Sequence, residues 1–123
     1  MPLGNDTLAK LREIVGADHV LTTKEDLIPY SFDGTAALQQ MPGAVAFAGT
    51  TEQVAAILKL ANQHKLPVVT RGSGTGLSGG SLPVNDGLVL CLVKMDKVLE
   101  LDRANLTMLV EAEIGRASCR ERV

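Results

Sequence analysis

Eleven consecutive residues, Thr70-Arg-Gly-Ser-Gly-Thr-Gly-Leu-Ser-Gly-Gly80, concentrate the chemistry of this chain. Five of its 12 glycines lie there. Glycine lets the backbone take positive φ and approach a ligand with no Cβ in the way. Successive amides in such a loop form a concave nest for an anion. Ser73, Thr75 and Ser78 add hydroxyl donors, and Arg71 adds a fixed charge able to pair with phosphate through two hydrogen bonds. A pyrophosphate has the size and charge to fill this loop. The candidate binding residues are Arg71, Gly72, Ser73, Gly74, Thr75, Gly76, Leu77, Ser78, Gly79 and Gly80. A plain glycine-rich linker is the bland alternative; the arginine, the three hydroxyl residues and the apolar run just before them favour phosphate.

Two familiar phosphate loops match only formally. Gly74-x-Gly76-x-x-Gly79 has the glycine spacing of the dinucleotide fingerprint, but that loop must open a helix. Gly80, Pro83 and Asn85-Asp86-Gly87 interrupt any helix here. The Gly-Lys-Ser/Thr of a nucleoside-triphosphate loop is missing as well. The loop is therefore expected to hold pyrophosphate on its own amides, without a helix terminus behind it.

The other polar residues carry less. His64 falls at a helix end and His19 reads as a surface residue. Cys91 sits in an apolar run and reads as an inert core thiol, and Cys91 and Cys119 lack metal or redox spacing. Tyr30 and Asp33 read as packing and hydrogen-bonding groups, and Asp96, Glu100 and Asp102 as a solvated edge. No residue is assigned a catalytic or metal-ligating role.

Positioning the loop falls to a βαβ unit over residues 44–70. Residues 44–48 are short and apolar, as a buried strand would be. Thr50 and Gln53 have capping-box spacing, and Val54, Ile57, Leu58 and Ala61 form the apolar face of a helix running to about residue 65. Residues 66–70 read as the second strand, with Pro67 near its start. Such strands should be parallel and their crossover right-handed. That places the loop at the carboxyl end of a parallel strand, where open α/β sheets bind ligands.

Around this unit, Leu8, Leu11, Ile14 and Val15 predict a helix over residues 6–15, capped by Asn5 or Asp6 and ended by Gly16. Residues 19–23 read as a short extended piece and 25–40 as irregular. Downstream come a turn at 85–87, a buried strand over 88–93, a mixed segment over 95–102, a turn over 102–105 and a strand over 106–112. The fold class is α/β (α+β), a small parallel βαβ sheet followed by the start of a mixed sheet.

Composition excludes several functions. The 123 residues are 46% hydrophobic and 21% charged, as in globular proteins. A net charge of -2 argues against nucleic acid or an anionic membrane as partner. With Tyr30, Phe32 and Phe47 the only aromatics, a base-stacking platform is excluded. The longest apolar run, residues 88–93, is far short of a transmembrane segment, which takes about 20 residues. Residues 1–6 do not open a signal peptide, so a cytoplasmic, reducing setting is expected.

The stretch Leu66-Pro-Val-Val-Thr-Arg-Gly-Ser-Gly-Thr-Gly-Leu-Ser-Gly-Gly-Ser-Leu-Pro83 resembles the pyrophosphate loop of FAD-linked oxidases of the vanillyl-alcohol oxidase/PCMH type. Within that family it is most similar to the FAD-binding subunit of glycolate oxidase and to D-lactate dehydrogenases. Ile28-Pro-Tyr-Ser-Phe-Asp-Gly34, Thr51-Glu-Gln-Val-Ala-Ala-Ile-Leu58 and Asn105-Leu-Thr-Met-Leu-Val-Glu-Ala112 extend the likeness, which covers roughly residues 8–112. It implies the N-terminal portion of a PCMH-type FAD-binding domain, with the pyrophosphate of FAD on residues 71–80. It implies a small 2-hydroxy acid, glycolate or D-lactate, oxidised by hydride transfer to flavin N5. Other glycolate oxidase subunits are implied as partners, with a peripheral place at the inner membrane through them. In that family the catalytic His, the metal or substrate-carboxylate ligands and the substrate cap lie further along, so this chain alone is expected to be inactive. Two alternatives are a non-redox phosphate or nucleotide-binding module, and a same-fold sugar-nucleotide (UDP-N-acetylenolpyruvoylglucosamine) reductase. The continuation through Leu82 and Pro83 favours the hydroxy-acid group over the latter.

The last ten residues, Ile114-Gly-Arg-Ala-Ser-Cys-Arg-Glu-Arg-Val123, break the pattern with three arginines and no lysine. They equal one-frame translation of a common short-read sequencing adapter, ATC GGA AGA GCG TCG TGT AGG GAA AGA GTG. Glu113 stands where the family's Val-Glu-Ala-Gly turn has Gly; the first base of a Gly codon joined to adapter AG reads Glu. Residues 1–112 are therefore expected to be native, with 9 basic and 12 acidic side chains, and 113–123 to be adapter-derived.

Overall fold

A computed structural model describes residues 3–35 and 37–115, so residues 116–123 of the adapter reading, Cys119 among them, lie outside the described residues. Helix α1 spans Asn5–Val15 and buries Thr7, Leu11 and Val15. Neither expected side chain caps it: Gly4 is the N-cap, and its carbonyl accepts the Leu8 amide at 3.1 Å. Gly16, at φ 94°, ends the helix as expected and returns its amide to the Arg12 carbonyl. The short strand β1 (Val20–Leu21) and one-turn helix α2 (Lys24–Leu27) follow, then a 3-10 turn at Ile28–Tyr30 inside the stretch expected to be irregular.

The main sheet holds β1, β2 (Ala44–Phe47), β3 (Val68–Arg71) and β4 (Leu88–Cys91) in the order β1-β2-β4-β3. Both β2 and β3 run parallel to β4, and β1 adds an antiparallel edge. The two strands of the expected βαβ unit are thus parallel but not neighbours. Burial explains the insertion. All four residues of β4 are buried, which suits a central strand covered on both faces. β3 leaves Thr70 exposed and takes the edge.

Helix α3 (Thr51–Gln63) connects β2 to β3. The Thr50 hydroxyl accepts the Gln53 amide at 3.2 Å, the expected half of the capping box. The returning half falls one residue early, with Gln53 Oε1 accepting the Gly49 amide at 2.8 Å. Helices α1 and α3 cover one sheet face through Leu11, Val15, Ile57 and Leu60 against Ala46, Leu88 and Leu90. On the opposite face Leu27, Val45, Val89 and Cys91 form a second cluster, with Tyr30 and Phe47 packed on it.

Strands β5 (Val98–Asp102) and β6 (Thr107–Val110) form a separate antiparallel hairpin. Its turn is held by Asp102, whose carboxylate accepts the Asn105 backbone and side-chain amides at 3.0 and 2.7 Å. Leu99, Leu106 and Leu109 remain exposed on it.

Candidate functional site

The glycine loop leaves β3 directly after Arg71, at the carboxyl end of two adjacent parallel strands, since Arg71 pairs with Cys91 of β4. No helix intervenes between β3 and β4. The loop closes instead through the Leu82 amide on the Gly79 carbonyl at 3.1 Å and the Gly87 amide on the Val84 carbonyl at 2.9 Å. The expectation of a loop without a helix terminus behind it therefore holds. Gly74 and Gly79 both sit at φ 75°, where a side chain would be strained.

Ser73, Thr75, Gly76, Leu77, Ser78 and Gly80 are exposed, and Gly72, Gly74 and Gly79 are half-buried. Among the described residues, the amides of residues 73–78 make no hydrogen bond. Six consecutive free donors on an exposed, glycine-relaxed backbone, with three hydroxyl side chains among them, fit a pyrophosphate in number and chemistry. The loop therefore suits the group that the sequence pointed to.

Arg71 behaves differently. Its side chain is buried, with Nη1 donating to the Phe32 carbonyl at 2.5 Å and Nη2 to the Pro29 carbonyl at 3.2 Å. The guanidinium lies 5.3 Å from the centroid of the Tyr30 ring and passes beneath Gly74, where any Cβ would strike it. Its fork is engaged with protein carbonyls, because buried carbonyls need donors and the strand alternation turns Arg71 inward. The bidentate phosphate contact expected of it is not the contact it makes; it braces the loop from below.

Residues 29–34 form the other side of that brace, which sequence reasoning missed. The Gly34 amide donates to the Gly76 carbonyl at 2.8 Å, and a Cβ on Gly34 would come within 2.7 Å of the same oxygen. The signal was the Asp33-Gly34 pair, but nothing in the sequence connects it with a loop about forty positions on. Asp33 is buried, and the amide and hydroxyl of Thr35, followed by the amides of Gly79 and Ser81, draw its carboxyl below the ordinary aspartate range. Tyr30 packs edge-on against Phe47, with ring centroids 5.7 Å apart. Burial pushes the Tyr30 hydroxyl up and Arg71 partly offsets it.

A cavity of about 290 Å³ opens beside Arg71, Gly72 and Ser73, floored by Tyr30 and Cys91. Cys91 is the core thiol expected; burial pushes its pKa up, and its sulfur faces the Gly72 carbonyl at 3.9 Å. A larger cleft of about 420 Å³ lies on the hairpin among Leu101, Leu106 and Met108, remote from the loop in sequence and in sheet. It is mainly apolar and lacks the free amides of the loop. His19 is half-buried against the Val15 carbonyl at 2.6 Å, and His64 is the C-cap of α3. Among the described residues no group of three His, Cys, Asp or Glu could hold a metal, and no helix is long and apolar enough to cross a membrane.

At its end, the Glu113 amide donates to the Met95 carbonyl at 2.9 Å and the Glu113 carboxylate lies against Gly72. An acidic side chain thus borders the start of the loop.

Comparison with known proteins agrees with this geometry. A family model described as FAD binding domain matches residues 42–115. The chain is 37% identical over 106 residues to the glycolate oxidase subunit GlcD of Bacillus subtilis, covering 86% of this chain and 23% of that protein. It is 37% identical over 73 residues to a D-lactate dehydrogenase of Anaerostipes hadrus, covering 59% of this chain and 15% of that one. A crystal structure of p-cresol methylhydroxylase with substrate bound superposes with a TM-score of 0.83 at 31% identity, over 96% of this chain and 24% of the other. The chain spans less than a quarter of the length of these relatives.

Proposed function

Because this chain belongs to the FAD binding domain family, we propose that it is the pyrophosphate-holding part of a flavin-dependent enzyme that oxidises a 2-hydroxy acid. The cofactor is FAD. The observation that carries the reading is the exposed loop 72–80 at the carboxyl end of β3 and β4, whose amides at 73–78 make no hydrogen bond among the described residues. The amides and hydroxyls of Ser73, Thr75 and Ser78 would hold the pyrophosphate, and Arg71 would keep the loop in shape from below. A flavin bound there would supply a hydride acceptor.

The substrate we favour is glycolate or D-lactate, in line with the names of two relatives. Among the described residues no group of three His, Cys, Asp or Glu could hold a metal, and the residues that carry turnover are proposed to lie outside this chain. We further propose that the active form assembles with other oxidase subunits in the cytoplasm or at the membrane face, since the Bacillus relative is named as a subunit.

Titration of the purified protein with FAD and with ATP, followed by thermal unfolding and flavin fluorescence, tests the cofactor reading. Stabilisation by FAD alone supports it. Equal stabilisation by ATP would favour a non-redox nucleotide module and overturn it. The genomic sequence after codon 112 tests the rest: continuation into a cap domain rich in His and acidic residues is expected, and an immediate natural stop codon there would contradict it.

A further inference from the structure

The cavity of about 290 Å³ beside the loop has no part in the pyrophosphate reading. Gly72 and Ser73 belong both to the loop and to the cavity wall, so a group joined to an anion on the amides of residues 73–78 meets the cavity next. The rest of the wall is Pro29, Tyr30, Arg71, Cys91 and Val93. Pro29, Cys91 and Val93 are largely apolar, while Ser73 and the half-buried Tyr30 each add one hydroxyl. An apolar wall with a few polar groups suits a planar heteroaromatic ring, whose faces are apolar and whose edge carries donors and acceptors.

Charge argues against a second anion in this cavity. The Arg71 fork is taken by the carbonyls of Phe32 and Pro29, and the Glu113 carboxylate lies against Gly72. Size argues against a whole dinucleotide: pockets that enclose a drug-sized ligand run from roughly 300 to 1,000 Å³, and this one falls just short of that range. Tyr30 is already held in place. Arg71 lies over its ring at 5.3 Å from the centroid, and Phe47 meets it edge-on with centroids 5.7 Å apart. Little rotamer freedom is therefore left to lose on binding. One tyrosine makes no platform for successive bases, but it serves a single ring.

We propose that this cavity holds one of the planar rings attached to the pyrophosphate, with Tyr30 as the residue that contacts it. The proposal rests on the reading of loop 72–80 as the FAD pyrophosphate site. The chemistry recognised is a nitrogen heteroaromatic ring joined to phosphate, and FAD carries one at each end, adenine and isoalloxazine.

Tyr30 is the only tyrosine of the chain, so its ring resonances in a tyrosine-labelled sample are assigned without further work. An aromatic ring packed against it moves them through its ring current, which inorganic pyrophosphate lacks. FAD, ADP, FMN and inorganic pyrophosphate are titrated into the full chain, with the loop amides followed in parallel. FAD should shift the Tyr30 ring resonances and inorganic pyrophosphate should leave them in place; ADP or FMN then reproduces the shift and identifies the ring. Tyr30→Leu should raise the FAD Kd about tenfold and leave the pyrophosphate Kd within about twofold, a split that loosening of the loop would not give. If that variant does not fold, the resonances of the unsubstituted chain decide. Tyr30 resonances unmoved by FAD while the amides of residues 73–78 shift, or moved equally by inorganic pyrophosphate, would overturn the cavity proposal and leave the cofactor reading standing. Equal loss of both affinities in Tyr30→Leu would overturn it too, by showing that Tyr30 only supports Arg71. Should FAD move neither the ring nor the loop amides, both readings fail.

Discussion

Arg71→Lys separates a brace from a phosphate ligand, because it keeps the charge and removes the fork. Arg71 is 7% exposed, and its guanidinium donates to the Phe32 carbonyl at 2.5 Å and the Pro29 carbonyl at 3.2 Å and lies 5.3 Å from the Tyr30 ring centroid. A lysine ammonium can meet one of those carbonyls and leaves the other buried without a donor. Losing one hydrogen bond from a charged donor costs about 1.5–3 kcal/mol, and the poorer cation–π contact about 0.5 kcal/mol more. A loss of about 2–3 kcal/mol lowers the urea midpoint by about 1.5 M at a slope of about 1.5 kcal/mol/M. It lowers the melting temperature by about 10 °C at roughly 4 °C per kcal/mol. The assay is urea unfolding followed by circular dichroism without FAD, then FAD titration well below the midpoint. An unfolding curve equal to the parent's, together with FAD affinity lost in a strongly salt-dependent way, would show that Arg71 binds phosphate and would refute the brace.

Other expectations follow from the same structure. Thr50→Ala removes the hydroxyl that accepts the Gln53 amide at the start of α3 and should cost about 1 kcal/mol, read from the urea midpoint. The Asp33 carboxyl is held below its ordinary range, so its contribution to stability is present above about pH 4 and is lost as pH falls through the lowered value. Asp102 is lowered too, by Asn105, so comparison of acid unfolding for the parent and Asp33→Asn assigns the share: the variant's curve should be flatter below pH 4. Glu113→Gly withdraws a carboxylate from beside Gly72. Removing a like charge from the edge of an anion site favours the anion, so FAD should bind about fivefold tighter, as read by flavin fluorescence.

Much of this arrangement was legible in the residues because it depends on local signals. Apolar runs marked β2 and β4, the 3.6-residue apolar spacing marked α1 and α3, and Gly16 and Thr50 marked helix ends. The glycine spacing together with Pro83 and Gly87 showed a loop that opens no helix. What escaped was long-range. The insertion of β4 between β2 and β3 follows from burial on both faces, which a short apolar run does not reveal. The inward turn of Arg71 depends on carbonyls 39 and 42 positions away. The role of Gly34 depends on backbone atoms of the loop itself, and no side-chain pattern records those. The Asn5 or Asp6 cap failed because two polar residues in a row make the boundary ambiguous, and the helix starts one residue earlier on Gly4.

The central claim is that the free amides of residues 73–78 are the anion-binding surface, and amide NMR tests it most directly. Addition of FAD to the isotope-labelled chain should shift the amide resonances of Ser73, Gly74, Thr75, Gly76, Leu77 and Ser78, and inorganic pyrophosphate should reproduce the shifts in this loop. Resonances that stay in place there while FAD shifts the hairpin of β5 and β6, or shifts nothing in a folded chain, would contradict the account.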